Sequence, residues 1–222
     1  MKLFRALGLI LAAQLLWVAT AFGQGSYKAE MIGAPASAEL SKALLDMVNP
    51  QGTRVVSDQG STLVEVWLRK AIPANPSPSS SSDILYGALG DGTFLGVLHF
   101  PSQGADFRGQ AIKPGFYTLR YALIPQDGNH MGVYPYRDAI LLGPVAADTD
   151  LDKALKFDEL VKLSRQSSGT PHPGFLVMAQ VSGDSFPSLV KDDQGHWNLQ
   201  VKVHVQSGDL PIALTVVGKW EG

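Results

Sequence analysis

One segment of this sequence concentrates the kinds of side chain from which small-ligand sites are built. Residues 120–138 combine guanidinium groups, carboxylates, an imidazole and phenol rings around a polar loop. Aromatic rings can stack on a sugar or a peptide, and a few charged groups can fix its orientation. The candidate ligand-binding residues are Arg120, Tyr121, Asp127, Asn129, His130, Tyr136, Arg137 and Asp138.

The same segment also has a purely structural interpretation. Arg120, Arg137 and Asp138 can pair with one another across neighbouring strands. Asp127 to Asn129, with glycine between them, is ordinary turn chemistry. The sequence leaves both interpretations open.

A second candidate site is a set of carboxylates whose spacing resembles a calcium-binding loop. Oxygen ligands at alternate positions suit calcium, and a glutamate follows where a bidentate ligand closes such a loop. Lys153, however, occupies the sixth place, where the loop needs glycine. We therefore favour the alternative that these aspartates cap a following helix and stabilise the positive end of its dipole. The candidate metal ligands are Asp148, Asp150, Asp152 and Glu159.

Motifs for catalysis are weak throughout the chain. Ser188 to Lys191 matches a Ser-x-x-Lys pattern, but the companion motifs of the serine hydrolases that use it are missing. The sequence has no cysteine, which excludes a thiol nucleophile and disulfides, and no glycine loop that would cradle a phosphate. The five histidines lack metal-binding spacing, so no cofactor is predicted. A pair of carboxylates across a groove cannot be recognised from sequence, so a hydrolase stays open.

The elements that would position these residues are mostly β-strands. Runs that alternate apolar and polar side chains, or that are apolar throughout, are separated by turns rich in glycine, asparagine and aspartate. Apolar residues at helical spacing predict two short helices, over 40–48 and 151–163. A stretch rich in proline and serine at 73–82 predicts a loop. The predicted strands are 53–56, 62–70, 84–89, 93–100, 116–124, 138–145, 174–181, 196–206 and 210–220.

Short strands joined by local turns, without strand–helix–strand alternation, favour antiparallel pairing. We expect a mainly β fold, an antiparallel two-sheet β-sandwich of jelly-roll or immunoglobulin type with one or two short helices. An open barrel is the alternative. A single domain over residues 24–222 is expected.

Residues 1–23 have the three parts of a secretory signal peptide. Lys2 and Arg5 precede an apolar run, which ends in small residues at Ala19 to Gly23. The run is too short to span a bilayer, so we expect no membrane anchor after cleavage and a secreted or periplasmic location. The chain carries a net charge of −2, and the leader holds two of its cations and no anion. A mildly acidic domain offers no basis for binding nucleic acid.

Three stretches carry a resemblance to a known group of proteins. They are residues 65–69, 112–121 and 125–130, and the second contains Lys-Pro-Gly-Phe-Tyr-Thr-Leu. Across most of the predicted domain the chain resembles a family of uncharacterised secreted bacterial proteins. The Lys-Pro-Gly-x-Tyr-x-Leu stretch is similar to a wider group of exported β-sandwich domains of unknown function. The resemblance implies export and an antiparallel β fold, and it implies no catalytic residues.

We therefore expect an exported binding or envelope-associated protein without catalytic activity. Its partner would be a small molecule, a carbohydrate or a peptide at the segment that runs from Arg120 to Asp138. One alternative is a hydrolase that cleaves envelope polysaccharide or peptide with a carboxylate pair. The other is a metal-binding module.

Overall fold

A computed structural model describes residues 25–126 and 134–219 of the chain. It contains two helices and twelve strands. The strands are β1 (Tyr27–Ile32), β2 (Gly52–Ser57), β3 (Thr62–Leu68), β4 (Phe94–Phe100), β5 (Gly104–Ala105), β6 (Ala111–Ile112), β7 (Gly115–Leu123), β8 (Asp138–Pro144), β9 (Phe175–Ala179), β10 (Ser188–Lys191), β11 (Trp197–Val205) and β12 (Gly208–Val217), and the helices are α1 (Lys42–Met47) and α2 (Phe157–Ser168). None of the helices in the described part is long and apolar enough to cross a membrane.

Ten of these strands form one antiparallel sheet. Their order is β1-β2-β3-β4-β7-β8-β9-β12-β11-β10, and β5 and β6 form a separate two-stranded ribbon. The first strand of the order lies against the last, so the sheet curls into a nearly closed barrel. The prediction of a mainly β, antiparallel fold is confirmed. The division into two stacked sheets is not confirmed, because the hydrogen-bonded order runs unbroken from β1 to β10.

The barrel interior holds the main hydrophobic core. Since side chains alternate between the two faces of a strand, each strand sends every second residue inward. On β7 the inward residues are Tyr117, Leu119 and Tyr121, and on β11 they include Leu199 and Val201. Two further apolar clusters lie on the outer face, one beneath α1 and one beneath α2. Because these outer clusters shield the outer face of the sheet from solvent, β4 and β7 are buried on both faces.

Helix α1 forms close to where the spacing predicts it. The Ser41 hydroxyl accepts a hydrogen bond from the backbone N–H of Leu44 at 3.2 Å, which caps the first turn. Leu44 is buried beneath the helix. The helix ends at Met47, before the Asn49-Pro50 pair that the sequence identifies as a stop.

Helix α2 begins later than predicted, and the aspartates do not cap it. It runs over Phe157–Ser168 instead of 151–163, and its cap is Lys156, whose backbone N–H donates to the Glu159 carboxylate at 2.9 Å. Gly169 ends the helix with a φ of 65°. The expectation that Asp148, Asp150 and Asp152 cap this helix was wrong, because other contacts of their segment hold it in an irregular conformation.

The strand predicted over 84–89 is absent. This segment is irregular, and the backbone N–H groups of Leu85 and Tyr86 donate to the Asp138 carboxylate at 2.8 and 2.9 Å. The carboxylate therefore takes the place of a neighbouring strand for these donors. The loop at 73–82 packs against the same segment, since the Asn75 amide donates to the carbonyls of Gly87 and Leu89, each at 3.0 Å.

Candidate functional site

The wall of the barrel contains a pocket of about 530 Å³, which we call the seam pocket. It lies between β1 to β3 on one side and β10 to β11 on the other. This is where the two ends of the ten-stranded sheet approach each other. Its lining residues are Met31, Asn49, Pro50, Gln51, Gly52, Thr53, Val66, Leu68, Phe186, Pro187, Val201 and Lys202.

Strand lengths explain why the wall stays open here. β10 pairs only with the first part of β11, from Trp197 to Gln200. From Val201 onward, no described strand pairs with this side of β11. At the far end the wall closes again, because the backbone N–H of Ile72 donates to the carbonyl of His204 at 2.8 Å. The seam pocket is thus a window bounded by β10 at one end and by this hydrogen bond at the other.

The floor of the seam pocket is the barrel core itself. Val66, Leu68 and Val201 line the pocket, and all three belong to the interior cluster. Met31 forms one lip and is 54% exposed, and no other large hydrophobic side chain of the described chain is exposed. A ligand in the window would therefore meet an apolar surface that continues into the interior.

The rim of the seam pocket is polar but nearly uncharged. Lys202 is its only charged lining residue, and its ammonium group lies over the ring of Phe186, 5.0 Å from the centroid. Among the described residues, no carboxylate and no imidazole lines this pocket. The pocket therefore offers apolar contact and one cation, and it lacks the acid–base pair that hydrolysis by carboxylates requires.

The candidate ligand-binding residues are separated by the fold. Arg120 and Tyr121 are neighbours on β7, so they point to opposite faces of the sheet. Arg120, Tyr121 and Asp138 are each fully buried. Asp127, Asn129 and His130 lie outside the described residues. The predicted cluster thus includes three side chains that are inside the protein, on two different faces of the wall.

Arg120 makes a buried ion pair with Asp148 and does not pair with Asp138. Its Nε donates to one carboxylate oxygen of Asp148 at 2.8 Å and one terminal nitrogen donates to the other at 2.7 Å. The terminal nitrogens also donate to the backbone carbonyls of Gly92, Asp150 and Lys153, so all five N–H groups are used. This network ties the segment after β8 to the outer face of β7.

Tyr121 and Asp138 belong to a second buried network, inside the barrel. The Tyr121 hydroxyl donates to Asp138 Oδ1 at 2.7 Å, and burial together with this carboxylate raises the pKa of Tyr121. The hydroxyl of Tyr86 donates to the Ala179 carbonyl and accepts from the Ala213 N–H at 3.0 Å. The Tyr86 hydroxyl thus links β9 to β12, two strands that pair at only two positions.

Tyr136 and Arg137 are the described members of the predicted cluster that reach the surface. The Tyr136 hydroxyl donates to the Gln180 amide oxygen at 3.3 Å, and Arg137 Nε donates to the carbonyl of Ile124 at 2.8 Å. Tyr134 stacks edge-on against Tyr136 with centroids 6.3 Å apart, and burial raises the pKa of Tyr134 to about 12. Ligand contact at this surface stays a prediction.

The candidate calcium ligands have protein partners. Asp148 is held by Arg120, Asp152 accepts from Arg69 at 2.7 Å and Glu159 accepts from Lys153 at 2.8 Å. This last contact lowers the pKa of Glu159. Within residues 25–126 and 134–219, no three histidine, aspartate or glutamate side chains converge so that they could hold a metal ion.

A second depression, of about 450 Å³, lies between α1 and the segment after β8 and is lined by Glu39 and the three aspartates of the candidate calcium set. Two of these aspartates are engaged by arginine, as described above.

Comparison with known proteins adds no relative. No protein-family model matches the sequence, and neither a curated protein nor a solved structure matches the chain. The functional conclusion therefore depends on the geometry of this chain alone.

Sequence reasoning missed every residue of the seam pocket. The pocket is formed by the ends of strands that are far apart in the chain, so no local motif marks it. The sequence offers one usable signal: Tyr27, Ala29 and Met31 alternate with Lys28 and Glu30, which is the pattern of a strand that contributes Met31 to one face.

Proposed function

We propose that this chain is an exported binding protein without catalytic activity, and that it takes a small apolar ligand in the seam pocket. The observation that carries the proposal is the window itself. Its volume of about 530 Å³ falls within the range of roughly 300 to 1,000 Å³ that ligand pockets occupy. Its lining combines an apolar floor with a few polar rim groups, which is the usual composition of such pockets.

The chemistry of the lining supports binding over turnover. A hydrolase needs a nucleophile or a pair of acid and base groups at the bound substrate. In the part of the chain that the structure describes, the seam pocket offers the hydroxyl of Thr53, which faces the Met31 sulfur at 3.9 Å, and the ammonium group of Lys202, with no carboxylate or imidazole beside either. Export is proposed from the signal-like residues 1–23, and protein recovered outside the cytoplasm with its N-terminus near residue 24 tests it.

The binding proposal is tested with a neutral fluorescent probe, N-phenyl-1-naphthylamine. We expect saturable enhancement of its fluorescence by the mature chain. Gln51→Trp should abolish it, because the exposed Gln51 lines the pocket and the larger ring fills the window. Gln166→Trp is the matched control on the exposed face of α2 and should bind the probe normally.

Two results would contradict this proposal. One is the absence of saturable binding to the unaltered protein. The other is equal binding by the Gln51 and Gln166 variants, which would place the probe elsewhere.

A further inference from the structure

We propose that the natural ligand of the seam pocket is an anionic amphiphile, a molecule with a single-chain apolar body and a negatively charged head such as a carboxylate. This inference rests on the proposed function and names its ligand class. The head would pair with Lys202 at the rim, and the apolar body would lie on the floor of the window.

The charge argument depends on Lys202. Its side chain is exposed on β11, and it is the only charged group among the lining residues. Within the described residues its ammonium forms no ion pair with a carboxylate, and it lies over the face of the Phe186 ring. A cation over an aromatic ring is held in place but stays available to an anion.

Asp209 on the neighbouring strand β12 pairs with His204 and does not pair with Lys202. His204 lies two residues further on, and its ring nitrogen lies 3.1 Å from the carboxylate of Asp209. Asp209 faces His204 in the register, whereas Pro211 faces Lys202. Pro211, the residue opposite Lys202 on β12, carries no charge and so does not neutralise the ammonium group.

The apolar argument depends on the floor and the lip. Val66, Leu68 and Val201 present branched side chains of the core, and the flexible thioether of Met31 can adapt to the contour of a chain. Each CH₂ group that leaves water for such a surface should raise the affinity about fourfold. Affinity should therefore depend on chain length.

A carbohydrate fits this pocket less well. Sugar sites combine exposed aromatic faces with carboxylates or amides, and Phe186, the one aromatic ring of this lining, is covered by Lys202. An extended peptide could instead pair with the unpaired side of β11, and the experiment below separates that occupant from an amphiphile.

The test displaces N-phenyl-1-naphthylamine from the mature chain with octanoate, octan-1-ol and decanoate at low salt. We expect octanoate to bind about fivefold more tightly than octan-1-ol, as a surface ion pair allows. Decanoate should bind about fifteenfold more tightly than octanoate, because its chain has two more CH₂ groups. Added salt should weaken the binding of octanoate and decanoate but not that of octan-1-ol, because salt screens an ion pair at the surface.

Variants assign the charge effect to one residue. Lys202→Gln should remove the preference for octanoate, and Lys202→Arg should keep it. Lys162→Gln removes the same charge from the exposed face of α2 and should change nothing. Lys202 is exposed, so none of these changes disturbs the core.

Equal affinity for octanoate and octan-1-ol, or a preference that survives Lys202→Gln, would overturn the inference while leaving the seam pocket as a binding site. Displacement by a valine-rich neutral peptide but not by octanoate would overturn it in favour of strand pairing. If the probe itself does not bind, the proposed function fails.

Discussion

The buried ion pair between Arg120 and Asp148 gives the sharpest test of how this fold is held together. Replacing Arg120 by methionine keeps much of the side-chain volume but removes five N–H donors. It leaves the Asp148 carboxylate, 3% exposed, without its cation. Removing one partner of a buried pair costs about 3 to 5 kcal/mol, because the remaining charge stays desolvated. At roughly 2 to 4 °C per kcal/mol for a domain of this size, the melting temperature should fall by about 10 °C.

Urea denaturation and thermal melting, each followed by circular dichroism, measure this loss. Arg108→Met is the matched control, since Arg108 is exposed, and it should change stability by less than about 0.5 kcal/mol. The double variant Arg120→Met/Asp148→Leu should recover the part of the loss that comes from the unpaired carboxylate, but not the part that comes from the hydrogen bonds to the carbonyls of Gly92, Asp150 and Lys153. A loss below about 1 kcal/mol for Arg120→Met would refute the reasoning.

Three further perturbations test other parts of the molecule. Tyr86→Phe keeps the ring but leaves a buried N–H and a buried carbonyl unpaired, so the free energy of unfolding measured in urea should fall by about 1 to 3 kcal/mol. A loss under about 0.5 kcal/mol would contradict this. Gly92→Ala should lower the free energy of unfolding clearly more than Gly60→Ala does. Both glycines have a φ of 80°, but only at Gly92 would the added Cβ meet the backbone, 1.9 Å from the Leu155 carbonyl oxygen. Equal losses for the two variants would count against this packing. Burial raises the pKa of Asp106 above its ordinary value of 3.8. The folded state therefore binds the proton of the Asp106 carboxyl more tightly than the unfolded state does, and the free energy of unfolding should fall as pH rises from 3.8 through the raised pKa of the folded state. NMR titration of the Asp106 carboxyl should show a midpoint above 3.8, and a midpoint below 3.8 would be inconsistent with this environment.

The parts of the fold that the sequence predicts well are those set by local pattern. β3, β7 and β11 alternate over many residues, and α1 has both a capping serine and a stop signal, so neighbours in the chain determine each of them. The closure of ten strands into one barrel depends on which strands pair, and this information is not local. That is why the sequence predicts two stacked sheets and gives the open barrel only as the alternative, whereas the two-sheet division is not confirmed.

The errors have the same origin. The segment 84–89 carries strand-like residues, but Asp138, some fifty residues away in sequence, accepts its backbone N–H groups. The helix predicted from 151 starts at Phe157 because Arg120, about thirty residues earlier, takes the backbone carbonyls of Asp150 and Lys153. Long-range contacts override local propensity at both places.

The candidate site was the least predictable feature. Residues 120–138 look like a ligand site because they combine charge and aromatic rings, yet burial in two separate networks produces the same composition. The seam pocket, in contrast, is made from ordinary residues such as Gln51, Val66 and Val201. What distinguishes them is the place where β10 begins, next to Val201 of β11, and no motif encodes that place.

The most direct test of the central claim is a methyl NMR titration of the mature chain with octanoate. The Met31 ε-methyl lies on the lip of the window, whereas the methyl groups of Leu160 lie in the outer cluster beneath α2. We expect the Met31 and Val201 signals to shift saturably with one shared dissociation constant, while the Leu160 signals stay in place. Saturable shifts at the methyl groups of Ile124, whose carbonyl accepts the hydrogen bond from Arg137, with none at Met31, would contradict the account, as would the absence of any saturable shift.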